Sequence, residues 1–154
     1  MILGANHIAI SVPDMDRAIS FYCDLLGFQC LADNRWPVGT ESADKLFNIP
    51  NTSGRVVHIG TKNLLIELFQ FSDCEPQIQK FDRPVIDHGY THLCLAVTDV
   101  DAEYERLSHA GMEFHCPPQD VAPGVRTVYG RDPFGNVLEF EESKGRTEPY
   151  QPPV

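Results

Sequence analysis

Apolar and polar residues alternate with period two from His7 to Val12 and again from His92 to Val97, the signature of half-buried strands. Each run is followed by an Asp suited to cap a helix, Asp14 or Asp99. Beyond Asp14 the apolar positions Met15, Ala18, Ile19, Tyr22, Leu25 and Leu26 switch to a 3.6-residue period, and Gly27 closes the stripe. Beyond Asp99, Val100, Tyr104 and Leu107 repeat it more weakly, and Gly111 ends it. The two stretches stand at a constant offset of 85 (92 − 7), an internal repeat. Each half then closes with a strand pair. The first is 55–60, a turn at Thr61–Asn63, and 64–71; the second is 125–130, a turn at Arg131–Asn136, and 137–141. Pro133, Gly135 and Asn136 supply the backbone restrictions of a tight connection. The stretch 31–54, with Trp36, Pro37, Gly39, Pro50 and Gly54, reads as an irregular excursion holding a short helix near 42–47. The chain is thus expected to form one domain over 1–154, with modules at 5–71 and 91–142, a linker at 72–90 and a tail at 143–154.

Face assignment turns this pattern into chemistry. His7 shares a face with Ala9 and Ser11, Glu67 with Leu65 and Phe69, His92 with Cys94 and Ala96, and Glu139 with Val137 and Glu141. The opposite face of each strand is wholly apolar. A carboxylate flanked by apolar residues on a strand is costly unless it is paired or ligates a cation. Taken singly, each of the four also fits a solvent-facing strand position. Their repetition, one His and one Glu in each half, points to a site with two nitrogen and two oxygen donors. Glu141 is a candidate rim group, His58 faces either the pocket or solvent, and Cys94 reads as a small wall residue. Trp36 and Phe69 either line an apolar pocket or pack in the core. His88, His109 and His115 sit in surface contexts.

Composition narrows the partners. Twelve Lys and Arg against 22 Asp and Glu give a net charge of −10, which repels nucleic-acid phosphates and anionic lipid. No run approaches the 18 apolar residues of a membrane span, and no basic-then-apolar leader opens the sequence. Cys23, Cys30, Cys74, Cys94 and Cys116 are odd in number and dispersed, which fits reduced thiols in a cytoplasmic protein. Asn51-Thr52-Ser53 matches a glycosylation acceptor by chance in such a setting. Small-molecule substrates remain.

Four separated motifs then resemble the vicinal oxygen chelate superfamily, which includes glyoxalase I, bleomycin resistance proteins and extradiol dioxygenases. They are the opening strand with Pro13 to Ala18, Phe21, Tyr22 and Leu25 to Phe28; Leu65 to Leu68; Thr91 to Leu93; and Asp132 to Phe140. The resemblance covers about 5–142. It implies an α+β fold of paired βαβββ modules, a cupped mixed sheet with helices outside, and a homodimer. It places His7, Glu67, His92 and Glu139 where the family's metal ligands lie, a set similar to bacterial-type glyoxalase I. The epimerase branch usually has Gln at the position of Glu67, ring-cleaving dioxygenases lack a ligand there, and metal-free antibiotic-binding members tend to lose these residues.

Two imidazoles and two carboxylates suit a six-coordinate divalent ion (Ni, Co, Zn, Mn or Fe) with two exchangeable positions. Such a site binds adjacent substrate oxygens and stabilises the enediolate formed when a C–H proton leaves. The expected function is a divalent-metal-dependent lyase or isomerase of glyoxalase I type, acting on a small carbonyl or thioester substrate. Glu67 or Glu139 would carry the proton as general base and acid. The alternatives are an acyl-CoA epimerase, an Fe(II) extradiol dioxygenase and a metal-free small-molecule binding (resistance) protein. Arg17, Arg35, Arg55, Arg126 and Arg131 are candidates for pairing with an anionic substrate tail.

Overall fold

The computed structural model describes residues 1–149. It forms two units, Met1–Ile78 and Gln79 onward, each built on its own mixed sheet in an α+β arrangement. The first contains β1 (Ile8–Ser11), α1 (Met15–Ile19), β2 (Gln29–Trp36), α2 (Glu41–Phe47), β3 (Gly54–Gly60) and β4 (Leu65–Phe71). Its strands lie in the order β1-β4-β3-β2, with β1 parallel to β4 and the other pairs antiparallel. The second contains β5 (Leu93–Val97), α3 (Val100–His109), β6 (Glu113–Phe114), β7 (Gln119–Ala122), β8 (Val125–Arg131) and β9 (Val137–Ser143). Its order is β5-β9-β8-β6, with β7 pairing against β8 and β5 parallel to β9. The same parallel pairing recurs in both units because each helix returns the chain to a central partner of its opening strand.

Each sheet buries one face beneath its helix. In the first unit Val57, Ile59, Ile66 and Leu68 are fully buried, as are Met15, Ala18 and Tyr22 of the helical segment. In the second, Val128, Leu138 and Phe140 are buried along with Val100 and Leu107 of α3. Ile66, Leu68, Leu138 and Phe140 are the apolar positions that alternation assigned to β4 and β9, whereas those of β1 and β5 are less enclosed, with Ile8 36% exposed. Asp14 caps α1 by accepting from the Arg17 amide at 3.0 Å, and Asp99 caps α3 through the Ala102 amide at the same distance.

Four details depart from the sequence pattern. The stretch from Leu31 is not irregular from the start: β2 runs from Gln29 to Trp36 and pairs along β3. The expected helix near 42–47 is present as α2, one residue longer. The helix after Asp14 widens at Ser20 into a π-helical turn through Leu25, so that the consecutive Phe21 and Tyr22 both turn inward and meet edge to face at 5.1 Å. Strand β9 also runs one residue into the segment read as the tail, of which 150–154 lie outside the described residues.

α2 is moored by Asp44, which accepts from the Thr52 amide (2.8 Å), the Thr52 hydroxyl (2.9 Å) and the Asn51 amide (2.9 Å). These donors, led by the Thr52 amide, hold its carboxyl below the usual carboxylate range. A carboxyl whose pKa is depressed by folding stabilises the fold above its unfolded value, near 3.9, and loses that contribution as pH falls through the folded value. Asp44→Asn is therefore expected to unfold at lower urea concentration than the parent at pH 6, with the difference shrinking toward pH 3. An equal difference at both pH values would contradict this.

Candidate metal centre

The face of each sheet turned away from its helix carries the four residues singled out by alternation, joined in two pairs. His7 directly precedes β1, and its Nε2 lies 3.3 Å from Glu67 Oε2. His92 directly precedes β5, and its Nε2 lies 2.9 Å from Glu139 Oε2. The carboxylates are the more enclosed members, 19% exposed for Glu67 and 13% for Glu139. The structure therefore joins His7 with Glu67 in the first unit and His92 with Glu139 in the second.

Both histidines are oriented by the residue before them. His7 Nδ1 pairs with Asn6 Oδ1 at 2.7 Å, and His92 Nδ1 pairs with the Thr91 hydroxyl at 3.0 Å. With Nδ1 engaged by an oxygen of the preceding residue, each ring turns Nε2 toward the carboxylate, the atom through which an imidazole so oriented would ligate a metal. Two donors about 2.1 Å from one ion and at right angles stand about 3.0 Å apart, close to both observed separations. The donor set thus fits a divalent cation of the transition series on its chemistry and its spacing.

Glu139 has further company. The buried Thr127 hydroxyl donates to its Oε1 at 2.7 Å and also lies 3.0 Å from the Phe140 carbonyl. The Tyr129 ring packs on His92 with centroids 4.8 Å apart. Burial, followed by the charge of Glu139, raises the Tyr129 phenol above its usual range. Ligand atoms of Cys94, Glu139 and Glu141 lie within 4.8 Å of one another. Cys94, expected as a small wall residue, stands beside Glu139 in register, and partial desolvation with the Glu139 and Glu141 carboxylates pushes its thiol up to about 12. Glu141 accepts from the Ser143 hydroxyl at 2.9 Å and lies 3.9 Å from Arg146.

In the first unit the residue that sequence reasoning left open is His58. Strand pairing sets it directly opposite Glu67, with Nε2 3.1 Å from Oε1. The same face continues into an aromatic cluster, Trp36, Phe47, Phe69 and Phe71, with centroid separations of 5.2 to 6.1 Å. Trp36 donates its indole N–H to Thr52 at 3.2 Å.

Of the five candidate arginines, three are committed within their own unit. Arg55 binds Asp33 and Asp16, Arg126 binds Asp101 and Asp120, and Arg131 donates to the carbonyls of Gly135 and Arg83. Arg35 is 67% exposed and 3.9 Å from Asp33. Among the described residues no helix is long and apolar enough to cross a membrane, and the five cysteines are free.

Comparison with known proteins agrees with this architecture. The model of the Glyoxalase/Bleomycin resistance protein/Dioxygenase superfamily matches residues 4–140. A metallothiol transferase FosB of Shouchella clausii (strain KSM-K16) is 30% identical over 149 residues, spanning 90% of this chain and 80% of its own. A probable lactoylglutathione lyase of Synechocystis sp. is 22% identical over 147 residues, spanning 92% and 97%. Among solved structures, a glyoxalase family protein of Bacillus cereus superposes with a TM-score of 0.85 at 23% identity, over 94% of this chain and 97% of its own.

Proposed function

The chain belongs to the glyoxalase/bleomycin resistance protein/dioxygenase superfamily, whose members are mostly metal-dependent enzymes, and from that premise we propose a divalent-metal-dependent lyase or isomerase of glyoxalase I type. Its metal is held by His7, Glu67, His92 and Glu139, each module contributing one imidazole and one carboxylate. The observation that carries this reading is the duplicated pair: in both units a histidine fixed at Nδ1 by its preceding residue turns Nε2 onto a strand carboxylate within 3.3 Å.

When bound, a divalent cation supplies Lewis-acid stabilisation of the negative charge that develops on adjacent substrate oxygens. The chain's own residues do the rest. One of the two carboxylates accepts the proton leaving a carbon beside a carbonyl and returns it to the neighbouring carbon, acting as base and then acid. The resident ion is one of Ni, Co, Zn, Mn or Fe, and the substrate is a small carbonyl compound or thioester.

The likeness to a metallothiol transferase favours a second reading, addition of a thiol to an electrophile at the same centre. An acyl-CoA epimerase would use the same carboxylates with a different substrate. Metal analysis of protein purified without added metals, repeated on Glu67→Gln, tests the shared premise. The expected result is close to one divalent ion per chain in the parent and a clear deficit in the variant. Equal metal in both would remove Glu67 from the centre. Bound iron alone would move the reading toward dioxygenase chemistry, and protein free of metal that takes none up would leave a binding role.

A further inference from the structure

Each site carboxylate is held at both oxygens, and its two oxygens meet different company. One faces the imidazole with which it would share an ion: Glu67 Oε2 stands 3.3 Å from His7 Nε2, and Glu139 Oε2 stands 2.9 Å from His92 Nε2. The other oxygen is engaged from the antiparallel neighbour strand. His58 Nε2 lies 3.1 Å from Glu67 Oε1, and the Thr127 hydroxyl lies 2.7 Å from Glu139 Oε1. These two partners come from different rows of the sheets. His58 is directly opposite Glu67, whereas Glu139 has Tyr129 opposite, with its ring packed on His92. Thr127 stands opposite Glu141 and reaches Glu139 from the neighbouring row. The matching position of the first unit is Val56, opposite Phe69. The second unit thus carries a hydroxyl where its repeat carries a methyl of the same shape.

We propose that Thr127 is a positioning residue that restricts Glu139 to ligation through Oε2 alone, an inference that rests on the metal-centre reading above. Thr127 is 7% exposed, so its hydroxyl must find its partners inside the protein. The hydroxyl has one proton and two acceptors beside it, Glu139 Oε1 at 2.7 Å and the Phe140 carbonyl at 3.0 Å. The carboxylate oxygen is both the closer and the charged acceptor, and it takes the proton. A β-branched side chain has few rotamers into which it could turn away.

The consequence lies in how many positions the carboxylate can fill. Turning Glu139 until both oxygens meet one ion would break a charge-assisted bond at a side chain only 13% exposed, where water does not readily replace the lost donor. With Oε1 committed to Thr127, Glu139 offers one oxygen. A six-coordinate ion given one atom by each of four residues keeps two positions for adjacent substrate oxygens. A carboxylate binding through both oxygens would fill one of those positions. Thr127 acts through Glu139.

The experiment loads wild type, Thr127→Val, Thr127→Ala and Thr127→Ser with Mn(II) and measures the relaxation of solvent water protons, which counts the waters exchanging on the bound ion. Thr127→Val keeps the shape and loses the hydroxyl, and Thr127→Ala loses hydroxyl and methyl together. In both, the relaxation enhancement per bound ion is expected to fall about twofold, as one of about two exchanging waters gives way to Oε1. Thr127→Ser keeps the hydroxyl and should match wild type. Thermal melts of the metal-free proteins separate this from a general loss of structure: the enhancement should follow the hydroxyl and not the melting point. An unchanged enhancement in Thr127→Val and Thr127→Ala, an equal fall in Thr127→Ser, or an order set by melting point would overturn the assignment while leaving the metal centre in place. If wild type takes up neither Mn(II) nor any other of the candidate ions, the metal-centre reading itself fails and the role of Thr127 falls with it.

Discussion

Glu67→Gln is expected to lower kcat for proton transfer about 10²- to 10⁴-fold, the usual contribution of a positioned general base. An amide can still occupy the strand position opposite His58, but it cannot accept a proton at neutral pH. The loss should therefore persist when the assay is saturated with the metal that wild type carries. Glu139→Gln is expected to behave differently. Its carboxylate is more enclosed than that of Glu67, 13% against 19% exposed, and accepts from the buried Thr127 hydroxyl, so its removal is expected to weaken retention of the ion more than the proton step. Excess metal should return much of its activity. The discriminating measurement is kcat against metal concentration for both variants. Recovery of Glu67→Gln to within about threefold of wild type at saturating metal would remove it as the base. Recovery of neither would mean that both carboxylates do chemistry.

How far this could be read from the sequence depends on what fixes each position. The Glu67 and Glu139 faces follow from period-two alternation because the opposite positions, Ile66, Leu68, Leu138 and Phe140, are apolar and buried; His7 and His92 directly precede shorter strands whose apolar positions are only partly enclosed. His58 did not follow, for a reason that is one residue long. A three-residue turn at Thr61–Asn63 would set His58 opposite Ile66. In the structure Thr61 donates to the Leu64 carbonyl and the loop is only Lys62 and Asn63, which moves the partner of His58 to Glu67. Strand β2 was hidden because its central residues Asp33, Asn34 and Arg35 have weak strand preference. Pairing to β3 and the Arg55 link to Asp33 outweigh that preference. The exposed β7 (119–122) carries no alternation and is held by β8 alone.

Asp132→Ala is expected to be the most destabilising single change near the centre, by about 3 kcal/mol, since it strips partners from several buried donors at once. Asp132 is 1% exposed and accepts from the Phe134 amide (2.9 Å), the Asn136 amide (2.8 Å) and the Asn136 side-chain amide (2.8 Å). Its own amide donates to the Asn136 carbonyl at 2.9 Å, and the Gly135 amide returns to the Asp132 carbonyl at 3.1 Å. Gly135 completes the turn at φ 90°, where a Cβ would come within 2.7 Å of the Phe81 backbone. This turn fixes Arg131 opposite Val137, and through that pairing Tyr129 opposite Glu139. A slip of one residue would carry Glu139 to the helix-packed face. The turn therefore supports both the fold and the placement of Glu139. In a thermal melt the loss should appear as a fall of about 6–12 °C for a chain of this size, with weaker metal retention in the residual folded protein at low temperature. Asp132→Asn keeps one acceptor oxygen and should lose less. A melting point unchanged in Asp132→Ala would show that strand pairing alone sets the register of Glu139.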